Sequence, residues 1–390
     1  MERIYLDHSA TTPVRAEVRA AMEPFLDESA GFGNPSSIHS FGQHAKAALD
    51  SARDILAGAL DGEPSEITFT SGGTEADNIA IIGLMLANRA RGDHLIVSTI
   101  EHDAVLHAAR FLETVGFRVT YAPVDSLGLV DPQFVVDVIT DRTVLVSIMH
   151  ANNEVGTIQP LAEIAEIAHQ HGVLMHTDAV QSFGQLPVSG PRLGVDAISV
   201  SSHKIYGPKG AGALYLRRGI AIEPLFHGGG QERDRRSGTE NIPGIAGFAE
   251  ATRLLLLERD ANSARMRRLR DKFIADASQR IPGLRLNGHP VQRLPNNINF
   301  SVPGVEGEAM LLNLDLAGIA ASSGSACASG SIDPSHVLLA MNLPPELVRS
   351  ALRLSLGRST TASQLDHALE VLAKTTERLT RMTSHSLHAA

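Results

Sequence analysis

Between Glu66 and Leu216 the chain alternates short β-type runs with stretches of helical spacing, and this alternation restricts its fold more than any other feature. Apolar runs at 66–70, 94–99, 119–122, 144–149, 173–176, 198–201 and 212–216 read as seven strands. Helical periodicity fills most of the gaps, at Asn78 to Arg89, Ala104 to Thr114 and Leu161 to His169. Such a pattern predicts an α/β fold with a mostly parallel seven-stranded sheet and helices on both faces. Ligands of such sheets sit beyond the carboxyl ends of the strands.

Five of those ends carry polar residues. Gly73-Thr74 follows the first strand, Glu101-His102 the second, and His150, Asn152, Asn153 and Glu154 the fourth. Asp178 and Gln181 follow the fifth, and Ser201, His203 and Lys204 the sixth. Each has a plain explanation alone: a loop histidine, a helix cap, an Asx turn. Together their chemistry is complementary. Lys204 sits at a strand mouth before Gly207-Pro208, where desolvation favours a free amine able to hold a carbonyl. The fitting carbonyl is the aldehyde of pyridoxal phosphate. Asp178 can keep a pyridine nitrogen protonated, His102 can lie on the ring face, and Gln181 and Asn153 can donate to the ring oxygen. Gly73, Thr74, Ser201 and His203 offer a phosphate backbone N–H groups, hydroxyls and an imidazole. The Gly72-Gly73 turn is neither a P-loop nor a dinucleotide-binding turn.

Composition narrows the function. The formal net charge of −9, without a basic block, argues against a nucleic-acid partner. No apolar run approaches the ~20 residues of a membrane span, and the N-terminus lacks a signal-peptide profile, so a cytoplasmic protein is expected. A single cysteine, Cys327, rules out an internal disulfide and any Cys-x-x-Cys site. It lies in Ala321 to Ser331, a run of Ser, Ala and Gly with no bulky anchor, and so reads as mobile rather than core.

Residues 255–390 read as a second domain. Glu258 to Gln279, Glu306 to Leu316 and Thr361 to Met382 have helical character, the last opened by a Thr361-x-x-Gln364 capping box. Asn297 to Val302 and Arg349 to Leu356 read as strands, and 383–390 as a loose tail. Near the N-terminus, Arg15 to Leu26 is helical. Ser36 or Ser37 can cap a helix whose stripe runs Ile38, Phe41, Ala45, Leu49, Ala52, Leu56, Leu60. Asn34 lies in the preceding loop.

The strings YLDHSATTP, FGNPSS, FTSGGTEADN, EHDAVL, MHANNEVG, HTDAVQ, SSHKIYGPKG, RRSGTEN, SSGSAC and RLSLGR cover nearly the whole chain. In them the chain resembles the NifS/IscS-type cysteine desulfurases, class-V aminotransferase-like enzymes of fold type I that use pyridoxal phosphate. The resemblance implies a large domain over 15–254 and a small α+β domain made of 1–14 and 255–390. It implies Lys204 as the aldehyde-binding amine, His102 as ring partner and proton shuttle, and Asp178 at the pyridinium. Gln181 and Asn153 would meet the ring oxygen. Gly73, Thr74, Ser201 and His203 would take the phosphate, joined by Thr239 of a second subunit. Asn34 and Arg353 would take the substrate carboxylate. Ser202 stands where the family usually has glycine, which implies an added side chain beside the phosphate.

The implied reaction removes sulfur from L-cysteine, leaves L-alanine, and keeps the sulfur as a persulfide on a mobile Cys327. A homodimer and sulfur-accepting partners follow, among them an iron–sulfur scaffold, where Cys327 would serve as a transient metal ligand. Two other enzymes suit the same residues: a selenocysteine lyase, or another aminotransferase or lyase on this cofactor. A non-catalytic interaction protein of the same fold is the reading of a different class, and the presence of Lys204, Asp178, His102 and Cys327 speaks against it.

Overall fold

The computed structural model describes residues 3–28, 31–323 and 334–388, the last six of these as backbone only. Its strands in chain order are β1 (Ile4–Tyr5), β2 (Ile67–Thr70), β3 (His94–Ser98), β4 (Arg118–Ala122), β5 (Thr143–Ser147), β6 (Leu174–Asp178), β7 (Ala197–Ser201), β8 (Gly212–Leu216), β9 (Arg285–Leu286), β10 (Asn297–Ser301), β11 (Ile319–Ala320) and β12 (Ala351–Ser355). The central sheet has seven strands in the order β2-β8-β7-β6-β5-β3-β4. From β3 to β7 all are parallel; β8 alone runs antiparallel to its neighbours β7 and β2. Every residue of β3, β5, β7 and β8 is buried, as a sheet covered on both faces requires. The chain passes from β3 to the edge strand β4 and returns to β5 on the other side of β3. That reversal opens a crevice at the carboxyl ends of β3 and β5.

Helix Gly73–Asn78 leads through a π-helical turn, Ile79–Gly83, into Leu84–Ala87, within the stretch read as one helix from 78 to 89. Helix Ser40–Ala59 buries Ala45, Leu49, Ala52 and Leu56 as its spacing predicts. Its start differs from expectation. The Nδ1 of His39 caps it by accepting from Gly42 N–H at 3.2 Å, because Ser36 and Ser37 are engaged upstream in a turn closed on Asn34. Ile38 therefore falls outside the stripe and is 92% exposed.

A longer correction concerns helix Ile242–Arg280, expected only from 258. Pro243 stands in its first turn, where the missing N–H costs nothing. Gly247 lets the helix pass close to the chain: a Cβ there would lie 2.8 Å from Met22 Sδ. The first turns bury Ile245, Phe248 and Ala251 against the central sheet's core. The later turns bury Met266, Phe273 and Ala277 in a second core with Ile4, Leu6, Phe300, Leu352, Leu354 and Leu369. That second core packs on the antiparallel sheet β12-β10-β9. Truncating Phe300 or Leu352 to alanine would cost about 2–5 kcal/mol. The capping box forms as read, Gln364 N–H donating to Thr361 Oγ1 and Thr361 N–H to Gln364 Oε1. The last helix, Ala362–His388, runs on through most of the expected tail.

Candidate active site

Lys204 ends a single 3-10 turn, Ser202–Lys204, that follows β7 directly. The chain then passes through Tyr206 with φ of +67°, a conformation rare for an aromatic residue. Strain there is offset by contacts: Tyr206 N–H donates to Thr12 Oγ1 at 2.7 Å, and its hydroxyl accepts from Arg358 N–H at 2.7 Å. The turn is thus clamped by both ends of the sequence. Lys204 Nζ donates to the carbonyls of Ser9 at 2.5 Å and Ala10 at 2.8 Å. Gln181 Nε2 donates to the same Ser9 carbonyl at 2.9 Å, which brings Gln181 beside Lys204.

Asp178, the last residue of β6, is buried. Burial pushes its carboxyl up, while His102, the Val180 N–H and Lys204 pull it back down. The structure therefore gathers Lys204, His102 and Asp178 into one electrostatic unit. His102 caps helix Asp103–Thr114. Its Nδ1 accepts from Ala104 N–H at 3.1 Å, which assigns the ring proton to Nε2. The neighbouring Glu101 is fully buried and its carboxyl is pushed up to about 8 by desolvation, against donation from Ser98 Oγ and Met149 N–H.

On the other side of Lys204, the Gly72-Gly73 turn meets the end of β7. A Cβ on Gly73 would lie 2.7 Å from Val180 Cγ2 and 3.7 Å from Ser201 Cβ, so this approach needs glycine. Gly73 and Thr74 open a helix there, with their backbone N–H groups at its positive end. Ser201 Oγ is buried without a hydrogen-bond partner among the described residues. His203 Nδ1 lies 3.1 Å from Thr11 Oγ1, and burial, with Lys204 and Lys209 nearby, holds the imidazole down to about 4. Orphaned hydroxyl, bare helix end and imidazole make a donor set suited to a phosphate. Ser202 Oγ is likewise buried without a hydrogen-bond partner among the described residues, and it faces Gly207, where an added Cβ would fall 2.0 Å away.

Asn152, rather than Asn153, forms the Asx turn after β5, accepting from Glu154 and Val155 N–H. Asn153 is half-buried, and its carbonyl accepts from Arg353 Nη1 at 3.1 Å. Arg353 is 2% exposed and pairs through Nη2 with Asp7 Oδ1 at 2.8 Å. Two other site candidates stand apart. Asn34 is exposed and uses Oδ1 on Ser36 N–H, with no hydrogen bond to Arg353. Thr239 is exposed in this chain. Cys327 lies outside the described residues.

Sequence reasoning missed Asp7, the Ser9 and Ala10 carbonyls, and Asp77. Asp77 is fully buried, 3.8 Å from His176 Nε2, and pushed well up by burial and by Asp178. Its sequence context, between Glu75 and Asn78 in a polar first turn, gave no sign of that burial.

The aminotransferase class-V family profile matches residues 4–368. A protein named cysteine desulfurase IscS from Dictyoglomus turgidum is 51% identical over 376 residues, covering 96% of this chain and 95% of that protein. Among solved structures, one titled NifS-like protein superposes with a TM-score of 0.89 at 38% identity, covering 96% of this chain and 99% of its own. Another, titled SspA in complex with cysteine, has a TM-score of 0.81 at 36% identity, covering 92% and 100%. Proteins of this family and name are pyridoxal phosphate enzymes. With its fold, its strand-end lysine and these likenesses over nearly its full length, the chain belongs to the aminotransferase class-V family, among the cysteine desulfurases.

Proposed function

We propose that this enzyme takes sulfur from L-cysteine, holds it as a persulfide on Cys327, and hands it to an acceptor protein. The observation that carries the reading is the convergence of Lys204, Asp178 and His102 beside a phosphate-suited cradle at Gly73, Thr74, Ser201 and His203. Pyridoxal phosphate fits it: Lys204 for the aldehyde, Asp178 for the pyridine nitrogen, Gln181 and Asn153 for the ring oxygen, and His102 on the ring. When bound, the cofactor supplies an electron sink for charge developing at the substrate Cα.

The protein's own groups do the rest. Asp178 is the carboxyl placed to hold a proton on the ring nitrogen; burial raises it, and His102, the Val180 N–H and Lys204 offset part of that rise. The Lys204 amine moves the Cα proton. His102 Nε2 faces proton transfer to and from sulfur. Arg353 is the bidentate partner for the substrate carboxylate, with Asn34 as a second contact. The Cys327 thiolate attacks the substrate sulfur; the S–S bond forms as the C–S bond breaks, and the carbon takes a proton and leaves as L-alanine. Both borders of the cysteine segment are fixed at the site wall. Ser322 exchanges backbone hydrogen bonds with Arg353, and Ser335 Oγ donates to Glu154 at 2.5 Å.

A homodimer in which Thr239 of a second copy reaches the phosphate accounts for a threonine exposed in this chain. The proposed division places 15–254 in the cofactor domain and 1–14 with 255–390 in the small one, with helix Ile242–Arg280 spanning the two. Among the described residues no helix is long and apolar enough to cross a membrane. A cytoplasmic setting with an iron–sulfur scaffold as acceptor, Cys327 ligating iron only in transit, completes the reading. The test supplies L-cysteine with a reductant and measures sulfide and L-alanine. Equal amounts support the reading; alanine formed only with an added keto acid refutes it in favour of transamination.

A further inference from the structure

Arg353 lies on β12 opposite Asn299 of β10, and its backbone N–H and carbonyl are both bonded to Ser322. The guanidinium is equally fixed. Nη1 donates to the Asn153 carbonyl at 3.1 Å and Nη2 to Asp7 Oδ1 at 2.8 Å, while Nε is buried without a hydrogen-bond partner among the described residues. Nε and Nη2 are the two parallel donors of the guanidinium's side-on fork, the pair a carboxylate grips with both oxygens. Asp7 therefore holds one prong of that fork and leaves the other empty.

The charges around Arg353 single out Asp7 as its counter-ion. Glu154 also faces Arg353, but it is fully buried and pushed up by desolvation, and Ser335 occupies its Oε2. Tyr5 faces both Arg353 and Asp7 as a neutral phenol. Asp7 keeps a side-chain exposure of 19%, against 2% for Arg353, so it stands between the cation and solvent.

We propose that Asp7 is a resident counter-ion which the substrate carboxylate displaces from Arg353, and which reclaims the guanidinium when product leaves. The proposal rests on the reading of Arg353 as the carboxylate site. A carboxylate that takes Nε and Nη2 together exchanges one hydrogen bond for two and satisfies the buried Nε. Asp7, displaced but adjacent, then repels the bound carboxylate and limits how tightly the amino acid is held. The arrangement trades affinity for release, and it admits only anions that can grip both prongs.

The test uses cofactor-loaded protein and L-alanine as the probe, with binding read from the change in cofactor absorbance and KM and kcat for L-cysteine measured alongside. Asp7→Asn keeps the shape and removes the charge. It is expected to bind L-alanine roughly tenfold tighter and to lower KM, with kcat unchanged or reduced. Asp7→Glu, able to cover both prongs, is expected to bind it more weakly. Weaker binding by Asp7→Asn, or its failure to load cofactor, overturns the proposal and makes Asp7 a fixed strut. Arg353→Gln separates the underlying reading: it should weaken L-alanine binding at least about tenfold. An unchanged affinity would remove Arg353 from the carboxylate site whatever Asp7 does.

Discussion

Lys204 Nζ donates to the backbone carbonyl of Ser9 at 2.5 Å, across 195 positions of sequence. The N-terminal segment thus forms one wall of the site. Thr12 extends the contact, its N–H and hydroxyl both donating to the His203 carbonyl. Removing residues 1–12 is expected to yield protein that no longer retains the cofactor's visible absorbance on gel filtration, where the full chain does.

Lys204→Ala should abolish turnover, a loss of at least about a thousandfold, because it removes both the aldehyde anchor and the Cα base. Reduction of the wild-type protein with borohydride should fix the cofactor on the peptide carrying Lys204, and mass spectrometry reads the position.

Asp178→Asn replaces the buried carboxylate with a group that cannot hold a proton on the ring nitrogen. Activity should fall by roughly 10²–10⁴-fold, with much of the cofactor still bound. Unaltered kcat would show that the pyridine nitrogen is not ionised by this residue.

The Glu101 carboxyl sits at about 8 in the fold, above its ordinary 4.5. A raised carboxyl favours the protonated native state, so its contribution is full below about pH 4.5 and is lost as pH rises through 8. Glu101→Gln, neutral throughout, should flatten the decline in Tm between pH 5 and 8. An unchanged slope across that window would show that Glu101 is ionised in the native protein.

Arg53 and Glu232 form a buried two-pronged ion pair, both bonds 2.7 Å, that ties the 231–234 segment to β2 through Phe69 N–H and the Ile67 carbonyl. Glu232, Arg233 and Asp234 all have positive φ, so this anchor holds a strained stretch ahead of Thr239. Arg53→Met leaves a buried carboxylate without its partner and should destabilise the fold by about 3–5 kcal/mol in denaturant titration.

The parallel sheet and the strand-end residues were legible because burial on both faces leaves unbroken apolar runs, and a polar group can follow only where a strand stops. Lys204, Asp178 and His102 were readable for that reason. Asp7 and Ser9 were not: one acts through a guanidinium nearly 350 positions away and the other through a main-chain carbonyl, which has no signature in sequence. The upward shift of the Glu101 carboxyl was equally hidden, since it depends on complete burial rather than on residue type. The first turns of helix Ile242–Arg280 were not read from sequence; there Gly247 packs closely on Met22, a contact that residue type alone does not mark.

The most direct measurement is the mass of the peptide carrying Cys327 after a single turnover with L-cysteine, set against the L-alanine formed. The account predicts one added sulfur atom on Cys327 for each alanine, and none in Cys327→Ala. An unmodified Cys327 beside a full yield of alanine, or full-rate turnover by Cys327→Ala, would contradict it.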